Sequence, residues 1–259
     1  MTTAVRPWLR APAPVPGARA RLLCFPCAGS GSMMYHPWRP LLPADLELWQ
    51  VQPPGREDRT SEPPLTHVSQ MVDALLPELR PLLDKPVLFF GHSMGALLAY
   101  TLTLRLREEG LPLPRHLFLS ARPAPQRGHR GPTRHILDDA ALLDVLRELG
   151  GTPEAAFSVP GLVESLLPLV RADFTVSETY RHTPVPPLDV PVSVFGGLAD
   201  RLVPTEALED WRECTRDRFS LRLFPGGHFY LHDALDQIVQ VIADEHAATG
   251  SRQSAGSVR

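Results

Sequence analysis

Short apolar runs alternate with longer stretches of helical periodicity along most of this chain. Arg21–Phe25 (RLLCF) reads as a short buried strand, and Leu46–Gln52 alternates apolar and polar positions, a second strand signal. Val68, Met71, Val72, Leu75, Leu76, Leu79 and Leu83 recur at i, i+3 and i+4. That spacing predicts an amphipathic helix, with a kink at Pro77. Val87–Phe90 (VLFF) is wholly apolar, as a central parallel strand covered on both faces should be. A helix follows it to about Glu109. Arg115–Ser120, Val192–Phe195 and Leu221–Phe224 are three further strands. Shorter helices are expected near Tyr35–Leu42 and Glu206–Cys214, and Leu235, Ile238, Val239 and Ile242 mark a C-terminal amphipathic helix.

Strands alternating with helices predict a mostly parallel α/β sheet flanked by helices. One stretch breaks the alternation. From Arg122 to about Leu188 there is no strand signal, only helical periodicity around Leu137–Leu149 and Leu162–Tyr180. That is too long for a plain loop, so it reads as a helical lid inserted over one end of the sheet. The expected organisation is a Pro-rich arm over residues 1–18, one domain over 19–246 with the lid at about 122–188, and a flexible polar tail over 247–259.

Composition changes this picture little. Many of the 29 prolines gather in the arm, at sheet–loop junctions and around the lid edges, where a fixed φ limits loop entropy. Lys85 is the only lysine among 26 basic residues, which reads as a coding bias. A net charge of −3 argues against a nucleic-acid binder. No apolar run is long enough to span a membrane, and the N-terminus lacks the apolar region of a secretory signal. A cytoplasmic monomer is therefore expected. Three cysteines do not make a disulfide framework. Cys24 and Cys27 form a C-x-x-C, but a zinc site needs a second ligand pair and only Cys214 remains. No metal or other cofactor is expected.

The chemistry concentrates at Gly91-His92-Ser93-Met94-Gly95, a G-x-S-x-G between an apolar strand and a helix. That context is the one in which Ser sits on a strained, exposed turn. The backbone N–H of Met94 then lies at a helix N-terminus, where donors face an anion. A serine nucleophile needs a base oriented by an acid, in chain order Ser, Asp/Glu, His. Asp200 and His228 each follow the carboxyl end of a predicted strand and complete that order. Asp173 competes as the acid but lies in a helical pattern within the lid, and His232 competes as the base but falls inside the final helix. The loop Cys27–Ser32 after the first strand should supply a second oxyanion donor. Pro26 has no N–H, which leaves Cys27 or Ala28.

These segments resemble the stand-alone type II thioesterases of polyketide and nonribosomal peptide biosynthesis, members of the α/β-hydrolase superfamily. The resemblance runs through Phe25-Pro26-Cys27-Ala28-Gly29, Gln52-Pro53-Pro54-Gly55-Arg56-Glu57, Gly91–Gly95, Leu169–Phe174, Asp200–Val203 and Gly226–Phe229. The chain departs from the family at Cys27, where His or an aromatic is common, and at Ser30, where Gly is frequent. The resemblance implies an α/β-hydrolase fold, a triad of Ser93, Asp200 and His228, and Ala28 with Met94 as oxyanion donors. It implies hydrolysis of acyl thioesters on the phosphopantetheine arm of carrier proteins, an editing role that clears aberrant acyl groups. Alternatives are a generic carboxylesterase or lipase-like hydrolase, and a catalytically silent binding module. Arg122, Arg127, Arg130 and Arg134 lie in a stretch with no acid before Asp138. They form either a docking surface for an acidic carrier protein or a solvated loop. Arg171 and Asp173 either pair within the lid or face water.

Overall fold

The computed structural model describes residues 7–256, apart from Pro153 and Pro160. Seven strands form one sheet in the order β1-β3-β2-β4-β5-β6-β7. They are β1 (Leu9–Arg10), β2 (Ala20–Phe25), β3 (Leu46–Val51), β4 (Val87–His92), β5 (Leu117–Ser120), β6 (Val192–Gly197) and β7 (Phe219–Phe224). Only β1 runs antiparallel, against β3. All other neighbours are parallel. The helices are α1 (Val68–Leu79), α2 (Met94–Glu108), α3 (Asp139–Leu149), α4 (Leu162–Thr179), α5 (Thr205–Glu209) and α6 (Leu235–Gly256).

The period of two along the strands divides the core into two layers. Leu23, Phe25, Phe89, Leu117, Leu119, Val192 and Val194 face α1 and α2, packing on residues such as Met71, Leu75 and Leu98. Their neighbours Leu22, Cys24, Leu88, Phe90, Phe118 and Phe195 face the other way, onto Tyr35, Trp38, Ile238 and Ile242. Covering both faces explains why the central strands read as unbroken apolar runs. α1 runs through Pro77, and a 3-10 segment over Arg80–Asp84 follows it. The expected helices near Tyr35 and Cys214 are largely 3-10, over Ser32–Leu41 and Asp210–Cys214. Pro37 and Pro40 lie inside the first, where they withdraw N–H donors that an α-helix would use.

The arm is not a free segment. Leu9 and Arg10 pair with Val51 and Gln50 along the edge of β3, and the Trp8 N–H donates to the Glu78 carboxylate of α1 at 2.8–2.9 Å. Trp8 itself is buried. A two-residue strand has no period to detect, yet it covers an edge that would otherwise expose unpaired backbone. Residues 247–256 continue α6, begun by two alanines of high helix propensity.

The insertion between β5 and β6 contains α3 and α4. Asp138 caps α3, accepting from Ala141 N at 2.8 Å, and Gly150 ends it at φ 70°. Leu142 and Leu146 of α3 pack on Leu167 and Val170 of α4 in a small third cluster. The two helices thereby lie over the carboxyl ends of the strands. Among the described residues no helix is long and apolar enough to cross a membrane.

Candidate active site

Ser93 is the single residue between β4 and α2, with φ 54° and ψ −112°. A non-glycine residue held there stores about 1–3 kcal/mol of backbone strain. Sterics explain the flanking glycines. A Cβ on Gly91 would run into the backbone of Gly95, and one on Gly95 would run into the carbonyl of Phe25. The turn is pinned by the Ser93 N–H donating to Ser120 O at 2.8 Å. Met94 opens α2 and is fully buried, so its N–H belongs to the unpaired first turn of a helix.

Asp200 and His228 come from the loops after β6 and β7. Those loops are stitched together: Leu198 N donates to Phe224 O and Ala199 N to Gly226 O, both at 2.8 Å. The contact is so close that a side chain on Gly197 would strike the carbonyl of Gly227. His228 Nδ1 lies 2.8 Å from Asp200 Oδ2, and Asp200 Oδ1 accepts from Leu202 N at 2.8 Å. A carboxylate can only accept, so Nδ1 carries the proton and Nε2 is left as a base. The Asp200 side chain is 1% exposed and that of His228 9%.

A second histidine lies beside the first. His92 stands 5.2 Å from His228, ring centre to ring centre. Its Nδ1 is 2.7 Å from Ser120 Oγ, which in turn is 2.6 Å from the Tyr230 hydroxyl. Burial holds the pKa of His92 well below the ordinary histidine value, and the nearby His228 and His232 act in the same direction.

Ser93, His228 and Ala28 line one cavity of about 450 Å³. Leu146, Leu149, Val170 and Phe174 of the insertion supply an apolar wall. The sequence-predicted acid and base are thus joined by a hydrogen bond, and the base shares a cavity with the serine and with the loop after β2. His232 lies in a 3-10 turn over Tyr230–His232, not in the final helix, and stacks on Phe229. Among the described residues no cluster of His, Cys, Asp or Glu could hold a metal ion. The thiols of Cys24 and Cys27 are both free and buried. Burial first of all pushes that of Cys27 up to about 11.

The four candidate docking arginines all line this cavity, but their environments differ. The Arg122 guanidinium donates to Ser177 O of α4 at 3.0 Å, and burial lowers its pKa to about 10. Arg127 is ion-paired with Asp210. Arg134 is 3.9 Å from the Glu178 carboxylate, which also accepts its backbone N–H. Arg130 is exposed, and its Nε donates to Arg127 O at 3.2 Å.

Arg171 and Asp173 do not pair with each other. Arg171 binds Asp139 at 2.7 Å and the carbonyls of His135 and Leu137. Asp173 instead takes a bidentate pair from Arg56, at 2.7 and 2.9 Å. Around this pair lies a network that pattern reasoning on single residues missed. Gln52 accepts from Ser32 N at 2.6 Å, and Glu57 accepts from Ser32 Oγ and Met33 N at 2.7 and 3.0 Å. The P-G-R-E turn, which stood out as a signature, therefore braces the loop after β2. Nothing in the local pattern of that turn pairs Arg56 with Asp173, which lies 117 residues away.

An α/β-hydrolase is the class that this sheet, elbow and capping insertion define. The structure of the type II thioesterase BorB, from the borrelidin biosynthetic cluster, matches with a TM-score of 0.83 and 38% identity, over 94% of this chain and 97% of that one. RedJ, a thioesterase from the prodiginine pathway of Streptomyces coelicolor, matches with a TM-score of 0.84 and 36% identity, over 90% and 95%. The chain belongs to the thioesterase family: residues 20–246 match the family described as "Thioesterase domain". It is 37% identical over 228 residues to the gramicidin S biosynthesis protein GrsT of Aneurinibacillus migulanus, covering 88% of this chain and 89% of that protein. It is a thioester hydrolase, which favours that reading over a generic carboxylesterase.

Proposed function

We propose that this thioesterase hydrolyses acyl groups from the phosphopantetheine arm of carrier proteins in a polyketide or nonribosomal peptide synthase, clearing aberrant acyl units. The observation that carries the chemistry is the 2.8 Å Asp200–His228 hydrogen bond in a loop pair facing the strained Ser93 elbow. Ser93 attacks the thioester carbonyl, and His228 Nε2 takes its proton. Asp200 keeps the other ring proton on Nδ1 and stabilises the imidazolium. The N–H groups of Ala28 and Met94 receive the oxyanion, and losing one such donor in a comparable site costs about 2.7–4 kcal/mol. The thiol leaves with the proton from His228. Water then attacks the acyl-enzyme with the same base.

The cavity's apolar wall suits an acyl chain, and its arginine-bearing rim suits an acidic carrier protein. Of the rim arginines, Arg130 is the one best placed for docking, because Arg127 and Arg134 already face carboxylates. The test is a panel of matched acyl groups presented on a carrier protein, on pantetheine, and as oxygen esters. The expected order of kcat/KM is carrier thioester, then pantetheine thioester, then oxygen ester. Faster turnover of the oxygen esters would overturn the assignment.

A further inference from the structure

The insertion helix α4 does more than wall the cavity. At its middle turn it touches the loop that carries Ala28. Asp173 Oδ2 accepts from Gly29 N at 2.8 Å, immediately beyond Ala28. The Asp173 side chain is fully buried and that of Arg56 is 3% exposed. Arg56 grips both carboxylate oxygens, and its Nη1 also donates to Ser30 O at 2.9 Å. The loop is closed on itself by Ser30 N donating to Cys27 O at 3.2 Å. The ion pair thus binds the two residues that follow Ala28, at Gly29 N and at Ser30 O. Packing agrees with it. Gly29 has φ 76°, and a Cβ there would lie 3.0 Å from Val170 of α4.

A buried carboxylate beside an oxyanion site would by itself oppose catalysis, since negative charge repels the charge that develops. Arg56 removes that objection. Bidentate pairing neutralises Asp173 while leaving it as a hydrogen-bond acceptor. Their opposed influence reaches the loop: burial dominates at the Cys27 thiol, but Asp173 raises its pKa and Arg56 lowers it.

Resting on the serine mechanism proposed above, we infer that Asp173, held by Arg56, is a positioning residue that aims the Ala28 N–H at the oxyanion. Catalytic competence then depends on α4 being seated on the loop. A displacement of α4 withdraws the acceptor from Gly29 and disarms the donor.

The test compares wild type with Asp173→Asn, which keeps the shape but loses the bidentate charge pairing. Three readouts are taken: kcat and KM on an acyl-pantetheine thioester, affinity for an alkyl boronic acid that mimics the tetrahedral oxyanion, and fluorophosphonate labelling of the serine. The expected result is a fall in kcat of about 10²-fold, KM within about threefold, and a parallel loss of boronate affinity. A purely structural pair would lower the melting temperature and leave the kcat of the folded protein and its boronate affinity within twofold of wild type. That outcome overturns the inference. Should Asp173→Asn fail to fold, Arg56→Lys decides the matter. It keeps the charge but not the fork, and the expected fall in kcat is about tenfold. An unchanged kcat would overturn the inference. Absence of labelling in the wild type would instead point to failure of the serine mechanism itself.

Discussion

At the residue scale the site is a set of short, directional constraints. Asp200 holds one tautomer of His228, and backbone bonds tie together the two loops that carry them. Asp200→Asn should therefore preserve the fold and lower kcat by about 10³–10⁴-fold, because an amide favours the wrong tautomer. Steady-state kinetics on an acyl-pantetheine thioester checks this, and a loss under tenfold contradicts it. Gly95 is constrained by space, not by its dihedral. Gly95→Ala drives a methyl into the Phe25 carbonyl, so a loss of about 2–3 kcal/mol is expected, read as a fall in melting temperature. His92 sets a pH dependence. Its pKa is depressed in the fold, whereas an unfolded histidine binds a proton below about pH 6.5. The unfolded state then holds the extra proton, so stability present above that pH is lost as pH falls below it. Urea melts from pH 7 to 5 should show a shallower loss in His92→Gln than in wild type, by up to about 1.4 kcal/mol per pH unit. Equal slopes would contradict this.

At the element scale, most of the architecture was legible because each central strand is short, apolar and followed by a periodic helix. The places of Ser93, Asp200 and His228 in the fold were legible for a related reason. Each sits at the carboxyl end of a strand, so order along the chain fixed its place in space. What escaped were elements with no period. β1 has two residues and is held by backbone pairing and by Glu78, not by an apolar face. Asp173 escaped for a different reason. Its partner Arg56 is 117 residues distant, and nothing in the local pattern of α4 favours that arginine over its neighbour Arg171. Removing residues 1–10 should cost stability by opening the β3 edge and freeing the Glu78 carboxylate. A chemical melt of the truncated chain checks this, and an unchanged midpoint contradicts it.

At the scale of the whole molecule, the sheet supplies rigidity and the insertion supplies the cavity. Strand ends deliver Ser93, Asp200 and His228 from one side, and α3 and α4 close the other with an apolar wall. The arginines the insertion carries are mostly committed to carboxylates within the fold, which narrows the docking expectation to Arg130. Arg130→Glu should lower kcat/KM on an acyl carrier protein by about fivefold and leave acyl-pantetheine unchanged, with the difference shrinking in high salt. All of this rests on the serine. The most direct test is release of free carrier thiol from an acyl carrier protein by wild type and by Ser93→Ala. The account predicts turnover by wild type and a loss of at least about 10³-fold in the variant; equal rates would contradict it.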